Sequence, residues 1–490
     1  MRSKAEKWGS GIFVGLCILY MILMVPAPDP PEYPAGEKNP FAWNSDKYWA
    51  YLESEFFKAR STETDSIDLQ ISEGFAEIEE LLISMSSDSL PPASEIFSSI
   101  EDKFFNLASL VAANPTRFEF FLALYKMLRI QVKEQSRHWD MNSQQSRDTV
   151  YRILFGGRMA VEEVIMQSPP QIVNNVTVDF NEQSVTPFVE VYGVRVHSGD
   201  ILVSRGGAPT SALIARGNDY PGNFSHAALV YVSETTGEAS VIESLIEHGV
   251  KISTVDDYLH DTKLRIMLLR VRSDIPSMIT DPWIPHKAAG YIYQKTREEH
   301  IPYDFAMDTR DGEKQFCSEV VSQSFREWGV QLWSAVSNIS GSGIKNWLSA
   351  FGVRNFKTQQ PSDLEYDPKL RVVVEWRDFK TLTKDRIDNA IVDVMLEDAE
   401  AGKRLQYDIY MLPIARIVKA YSFILNLFGG TGPVPEGMNS STALRNKRFS
   451  KDHNEIKENL QPLIKQFEHD KGYSPPYWEL VRLAREAKNG

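Results

Sequence analysis

Between Val189 and Val271 the chain runs as a series of short segments rich in Val, Ile and Leu, each closed by Gly, Asn, Asp or Pro. Short apolar runs with this punctuation have the pattern of strands, because a helix needs longer runs and tolerates few such breaks. Val189, Val191, Val194 and Val196 open the stretch. Asp200–Ser204, His226–Val232, Ser240–Leu245, Val250–Thr254 and Leu264–Val271 follow, and Leu370–Trp376 reads as a returning strand. Helical spacing appears near Pro285–Glu299 and Cys317–Trp328. The expected unit is an α+β domain over 189–376 with a mostly antiparallel sheet.

The flanks have a different period. From 41 to 168, apolar residues recur at helical spacing, as in Phe104, Phe105, Leu107 and Leu110 and again in Phe118, Phe120, Phe121, Leu124 and Leu128. Polar breaks at Ser86–Pro92 and Asn114-Pro115 divide this region into a four- or five-helix bundle that suits a spacer or lid. From 377 to 490 the pattern is helical again, interrupted at Gly429–Gly437. A chain of 490 residues has room for several such units.

Residues 1–28 read as an address. Arg2, Lys4 and Lys7 stand against a single Glu6, and no charge follows from Trp8 to Pro28. That run is long enough to span a bilayer, which takes about 20 residues. The basic flank keeps the N-terminus cytoplasmic and places the body in the periplasm or outside the cell. An uncleaved anchor and a cleaved signal peptide both fit. Val25-Pro26-Ala27 loosely resembles a cleavage site, and Pro28 opposes cutting. Residues 29–40, with Pro30, Pro31 and Pro34, read as an extended linker.

A net charge of −13 without a Lys/Arg run argues against nucleic-acid binding. Cys17 and Cys317 are the only cysteines, so no disulfide framework exists. The motifs C-x-x-C, H-E-x-x-H, G-x-S-x-G and the phosphate loop are absent, and the sequence implies no metal or cofactor.

One constellation carries chemistry. In Gln315-Phe316-Cys317-Ser318-Glu319-Val320-Val321 the apolar stripe places Cys317 in the first turn of a helix. There the helix dipole and free N–H groups favour a thiolate and can face a developing oxyanion. A buried structural cysteine is the alternative. His226 opens the strand Ser225–Tyr231, where it can face a cleft. His248, His260, His286 and His300 lie in a turn or on helices and fit a base less well. Glu243, inside the apolar run Val241–Leu245, is spaced to sit on the neighbouring strand and orient an imidazole, unless it faces solvent.

Taken in order, Gly199-Asp200-Ile201-Leu202, Ser225-His226-Ala227-Ala228-Leu229-Val230, Ile242-Glu243, Pro302-Tyr303-Asp304-Phe305 and Phe316-Cys317-Ser318-Glu319 resemble the YiiX-like permuted papain-like cysteine hydrolases, the circularly permuted branch of the NlpC superfamily. Pro361-Ser362-Asp363-Leu364 before the last strand is similar to that family too. The histidine precedes the cysteine, as the permuted order requires. The resemblance covers 189–376 and leaves both helical flanks unmatched. It implies Cys317 as nucleophile, His226 as base, Glu243 as the third member and Tyr303 as a donor lining the site. It further implies a hydrolase for an amide or acyl bond in a peptide, cell-wall or lipid substrate. A lipid acyltransferase and a non-catalytic membrane-anchored scaffold are the rival functions.

Overall fold

A computed structural model describes residues 4–36, 40–43, 46–87, 89–428 and 430–490, with nothing described for the side chains of 4–12, 46 and 87. Helix α1 (Lys4–Met24) comes first. Met1–Ser3 and the side chains of Lys4 and Lys7 lie outside the described residues, and with them the basic flank. The expected spanning segment is not borne out: among the described residues no helix is long and apolar enough to cross a membrane. The expected linker is described except at 37–39.

The N-terminal flank holds α2 (Asp46–Arg60), α3 (Thr64–Ser87), α4 (Glu95–Ala113), α5 (Phe118–Gln135), α6 (Gln144–Val150) and α7 (Gly157–Gln167). Phe104, Phe105, Leu107, Phe118, Phe121, Leu124 and Leu128 are buried together, as their spacing requires. Phe120 departs from that expectation and is exposed. It sits two residues from Phe118, on the opposite side of a helix that turns 100° per residue.

The chain then enters the sheet domain through β1 (Val176–Val178), the hairpin β2 (Phe188–Val191) and β3 (Val194–His197), β4 (Ile201–Gly206), α8 (Pro209–Arg216), β5 (His226–Val232), β6 (Ala239–Leu245), β7 (Gly249–Thr254), α9 (Val255–His260) and β8 (Lys263–Val271). It continues through α10 (Pro276–Thr280), α11 (Ile284–Glu298), α12 (Cys317–Arg326), β9 (Ser337–Asn338), α13 (Ser342–Ala350), β10 (Lys357–Thr358), α14 (Asp363–Tyr366) and β11 (Leu370–Trp376). Seven strands form one sheet in the order β1-β11-β8-β4-β5-β6-β7. All its neighbours pair antiparallel, so the fold is α+β as the strand pattern implied.

Side-chain alternation gives this sheet two buried faces. On β5, Ala227 and Leu229 join the core under α11 and α12, together with Val320, Val321 and Phe325. Ala228 and Val230 point the other way, into a core shared with Val241, Leu268 and Val374. The C-terminal flank comprises α15 (Phe379–Glu400), α16 (Leu412–Leu427), α17 (Ser440–Lys471) and α18 (Tyr477–Asn489). Its main core gathers Ile391, Phe449, Leu460 and Leu483 with Leu213 of α8 and Trp347 of α13.

Candidate active site

The hairpin of β5 and β6 sets the first two residues. Ala228 lies opposite Glu243, so His226, two residues back on β5, is the diagonal neighbour of Glu243 on the same face. The imidazole Nε2 lies 2.9 Å from Glu243 Oε2. The other carboxylate oxygen accepts from the hydroxyl of Ser253 on β7 at 2.8 Å. The carboxylate is thus held from both sides, and it is buried, not solvent-facing.

Helix α12 brings the thiol to the free side of the ring. Cys317 is its first residue and is buried. Nε2 is occupied by Glu243, so Nδ1 is the nitrogen left for the sulfur, and the thiol and the imidazole are hydrogen-bonded. The loop before the helix is fixed by its backbone. Gln315 donates its N–H to Pro302 and its carbonyl accepts from the Ser244 hydroxyl at 2.6 Å. At the first turn Glu319 accepts from the N–H of Phe316.

The charges in this cluster can be assigned. Burial alone pushes the Cys317 thiol up; hydrogen bonding to His226, the imidazolium charge and the N–H of Ala227 outweigh it and bring the thiol below its ordinary value. Burial likewise lowers His226, but its bonds to Cys317 and Glu243 raise it to about 9. Glu243 is pushed up by burial and pulled further down by His226, so it stays ionised. The shifts of all three groups run toward thiolate, imidazolium and carboxylate. Glu319 behaves differently: burial pushes it up to about 8. Near neutral pH it is an uncharged acid and places no like charge beside the thiolate.

Tyr303 lies close enough to Cys317 for the sulfur's charge to act on it. Burial, then that charge, hold its phenol well above the ordinary value, so it keeps its proton and remains a donor. Asp304 acts on the local backbone. Its carboxylate accepts the N–H groups of Ala306 at 2.8 Å and Asp308 at 2.6 Å, closing the turn after Tyr303. Among the other histidines, His286 is held by Ser198 and Glu234, while His300 bonds Glu436. A cavity of about 840 Å³ lies elsewhere, between the helical flanks, lined by Trp49, Phe105, Arg216, Asp393 and Tyr477.

Sequence reasoning missed Ser253 and Tyr258. Tyr258, within α9, stacks on the His226 ring at 6.5 Å between centroids with a tilt of 29° and donates to Ser204. Both residues carried a signal. Ser253 shares the strand period with Lys251, the partner of Glu243, and Thr254-x-x-Asp257 is a capping box that starts α9.

Cys317 is buried at a helix start, and the histidine beside it lies on a strand that precedes it in the chain. Residues 195–374, which contain the whole cluster, match the family described as permuted papain-like amidase enzyme, YaeF/YiiX, C92 family. The match supports cysteine amidase or peptidase chemistry in the sheet domain. No curated protein matches the chain.

Proposed function

We propose that the protein is a cysteine hydrolase that cleaves an amide or acyl bond, with Cys317 as nucleophile, His226 as acid–base and Glu243 as the residue that orients His226. The observation carrying this reading is the continuous hydrogen-bonded chain from Cys317 through His226 and Glu243 to Ser253. The thiolate attacks the carbonyl carbon. The oxyanion forms next to the N–H groups of the first turn of α12, which have no intrahelical acceptor, with the Tyr303 hydroxyl as a further donor. His226 gives its proton to the leaving nitrogen or oxygen, then takes one from the water that releases the acyl group. An amide in a peptide-like substrate is favoured over a lipid ester by the amidase description of the matching family. A scaffold function would not require a thiol held below its ordinary pKa, and acyl transfer would differ only in the final acceptor. The apolar part of α1 supports tethering to a membrane.

Alkylation of Cys317 by iodoacetamide as a function of pH tests this reading. Labelling is expected to persist well below the free-thiol value of about 8.5, with Cys17 replaced by serine so that one site reports. Turnover should fall again as pH rises through about 9, where His226 loses the proton it must donate. An alkylation profile like that of a free thiol would refute the nucleophile.

Glu243→Gln tests the third role. The amide keeps the shape and one acceptor but loses the charge that favours imidazolium, so activity should drop yet remain measurable, and the alkaline limb should move to lower pH. Parent-like activity together with an inactive Asp304→Asn would transfer the orienting role to Asp304.

A further inference from the structure

Two helices leave large apolar side chains in the open. On α1, Phe13, Val14, Leu16, Ile18, Leu19 and Ile22 are all exposed. At 100° per residue they cover every side of the helix, so a partner groove would leave half of them in water. On α16, Ile414, Ile417, Tyr421 and Ile424 form a stripe at helical spacing, and Phe428 extends it at 85% exposure. The basic residues of α16 point the other way. Arg416 donates to the carbonyls of Leu23 at 2.8 Å and Val25 at 2.6 Å, clamping the end of α1 to α16. Lys419 donates to the carbonyls of Pro435 and Glu436 at 2.6 and 2.7 Å. The open face of α16 therefore carries no charge, and it adjoins the apolar end of α1.

After α16 the chain returns past His248 and His300: Thr431 reaches His248 at 3.3 Å, and His300 bonds Glu436 at 2.9 Å. Gly437 packs against Phe305, leaving no room for a Cβ.

We propose that the outer face of α16 docks in the interfacial layer of a lipid bilayer beside α1, and so holds the sheet domain at the membrane surface. Encirclement argues for lipid over a protein groove. A stripe of four aliphatic and aromatic residues on a helix of sixteen suits a helix lying in the interface, not one crossing it. The docking stands whether or not the thiol is catalytic.

The test uses the full chain with Cys17→Ser and Cys317→Ser and one new cysteine at a time: Ile424→Cys, Met21→Cys or Lys465→Cys. Each carries an environment-sensitive fluorophore. With vesicles of phosphatidylcholine and phosphatidylglycerol containing spin-labelled lipid, the probes at 424 and 21 should shift to the blue and be quenched, and the probe at 465 should not change. Ile417→Glu with Ile424→Glu should lower vesicle-bound protein by about tenfold or more. Quenching at 21 without quenching at 424 overturns the proposal, as does binding unchanged by the two glutamates. A concentration-dependent blue shift at 424 without vesicles assigns the face to a second copy and overturns it too.

Discussion

Replacing His226 with alanine is expected to slow acylation of Cys317 by about 10²–10⁴-fold near neutral pH, the usual contribution of a positioned acid–base. Two losses combine. The leaving group no longer has a proton donor, and the thiol loses the partner that outweighs its burial. Burial then dominates and raises the thiol, so the deficit should be largest at low pH and narrow above about 8.5. The measurement is single-turnover release of nitrophenol from a p-nitrophenyl ester, with Cys17 replaced by serine. Cys317→Ser should abolish the burst with the fold retained, because the substitution is nearly isosteric. A burst of equal rate in His226→Ala would reduce Cys317 to an ordinary buried cysteine that reacts when exposed.

The parts of this site that were legible in the sequence were those fixed by short-range patterns. The runs His226–Val232 and Leu370–Trp376 coincide with β5 and β11 because turn residues bound them on both sides. His226 and Glu243 could be paired in advance because a tight turn joins their strands. The first strand, Val176–Val178, was not visible: three residues inside a polar stretch give no period, and only pairing with β11 makes them a strand. Counted separately, α2–α7 are six helices; α6 and α7 are joined without a break by the π-helical turn Tyr151–Gly156, and no residue punctuates the change. The charged residues that unite the flanks with the sheet were equally hidden. An Arg or Glu at a helical position reads as surface unless its partner, far along the chain, is known.

Glu162→Gln is expected to cost about 3–5 kcal/mol, the loss associated with breaking a buried ion pair from one side. Glu162 of α7 is fully buried and accepts from Arg265 of β8 at 2.6 and 3.2 Å and from Arg158 at 3.1 Å. Arg158 in turn grips Glu365 of α14 at 2.7 and 2.8 Å. On the other side, Asp385 of α15 pairs with Arg265 at 2.6 Å and with Arg205 of β4 at 3.2 Å. These six side chains link both helical flanks to the sheet. Arg205 follows Ser204, which lies opposite His226, so the network also braces the strand beside the imidazole. Burial raises Glu162, yet Arg265 and Arg158 bring it down to about 2. Its folded value is below the unfolded one, so its contribution is complete above about 4.5 and disappears as pH falls through about 2. Chemical denaturation at pH 7 should therefore show a lower midpoint for Glu162→Gln, with the difference from the parent shrinking at acid pH. Alkylation of Cys317 should stay near the parent rate in conditions where the variant remains folded, because no part of the network touches the sulfur. A midpoint within about 1 kcal/mol of the parent would mean that the two guanidinium groups find other partners and that the flanks are held by their apolar contacts alone.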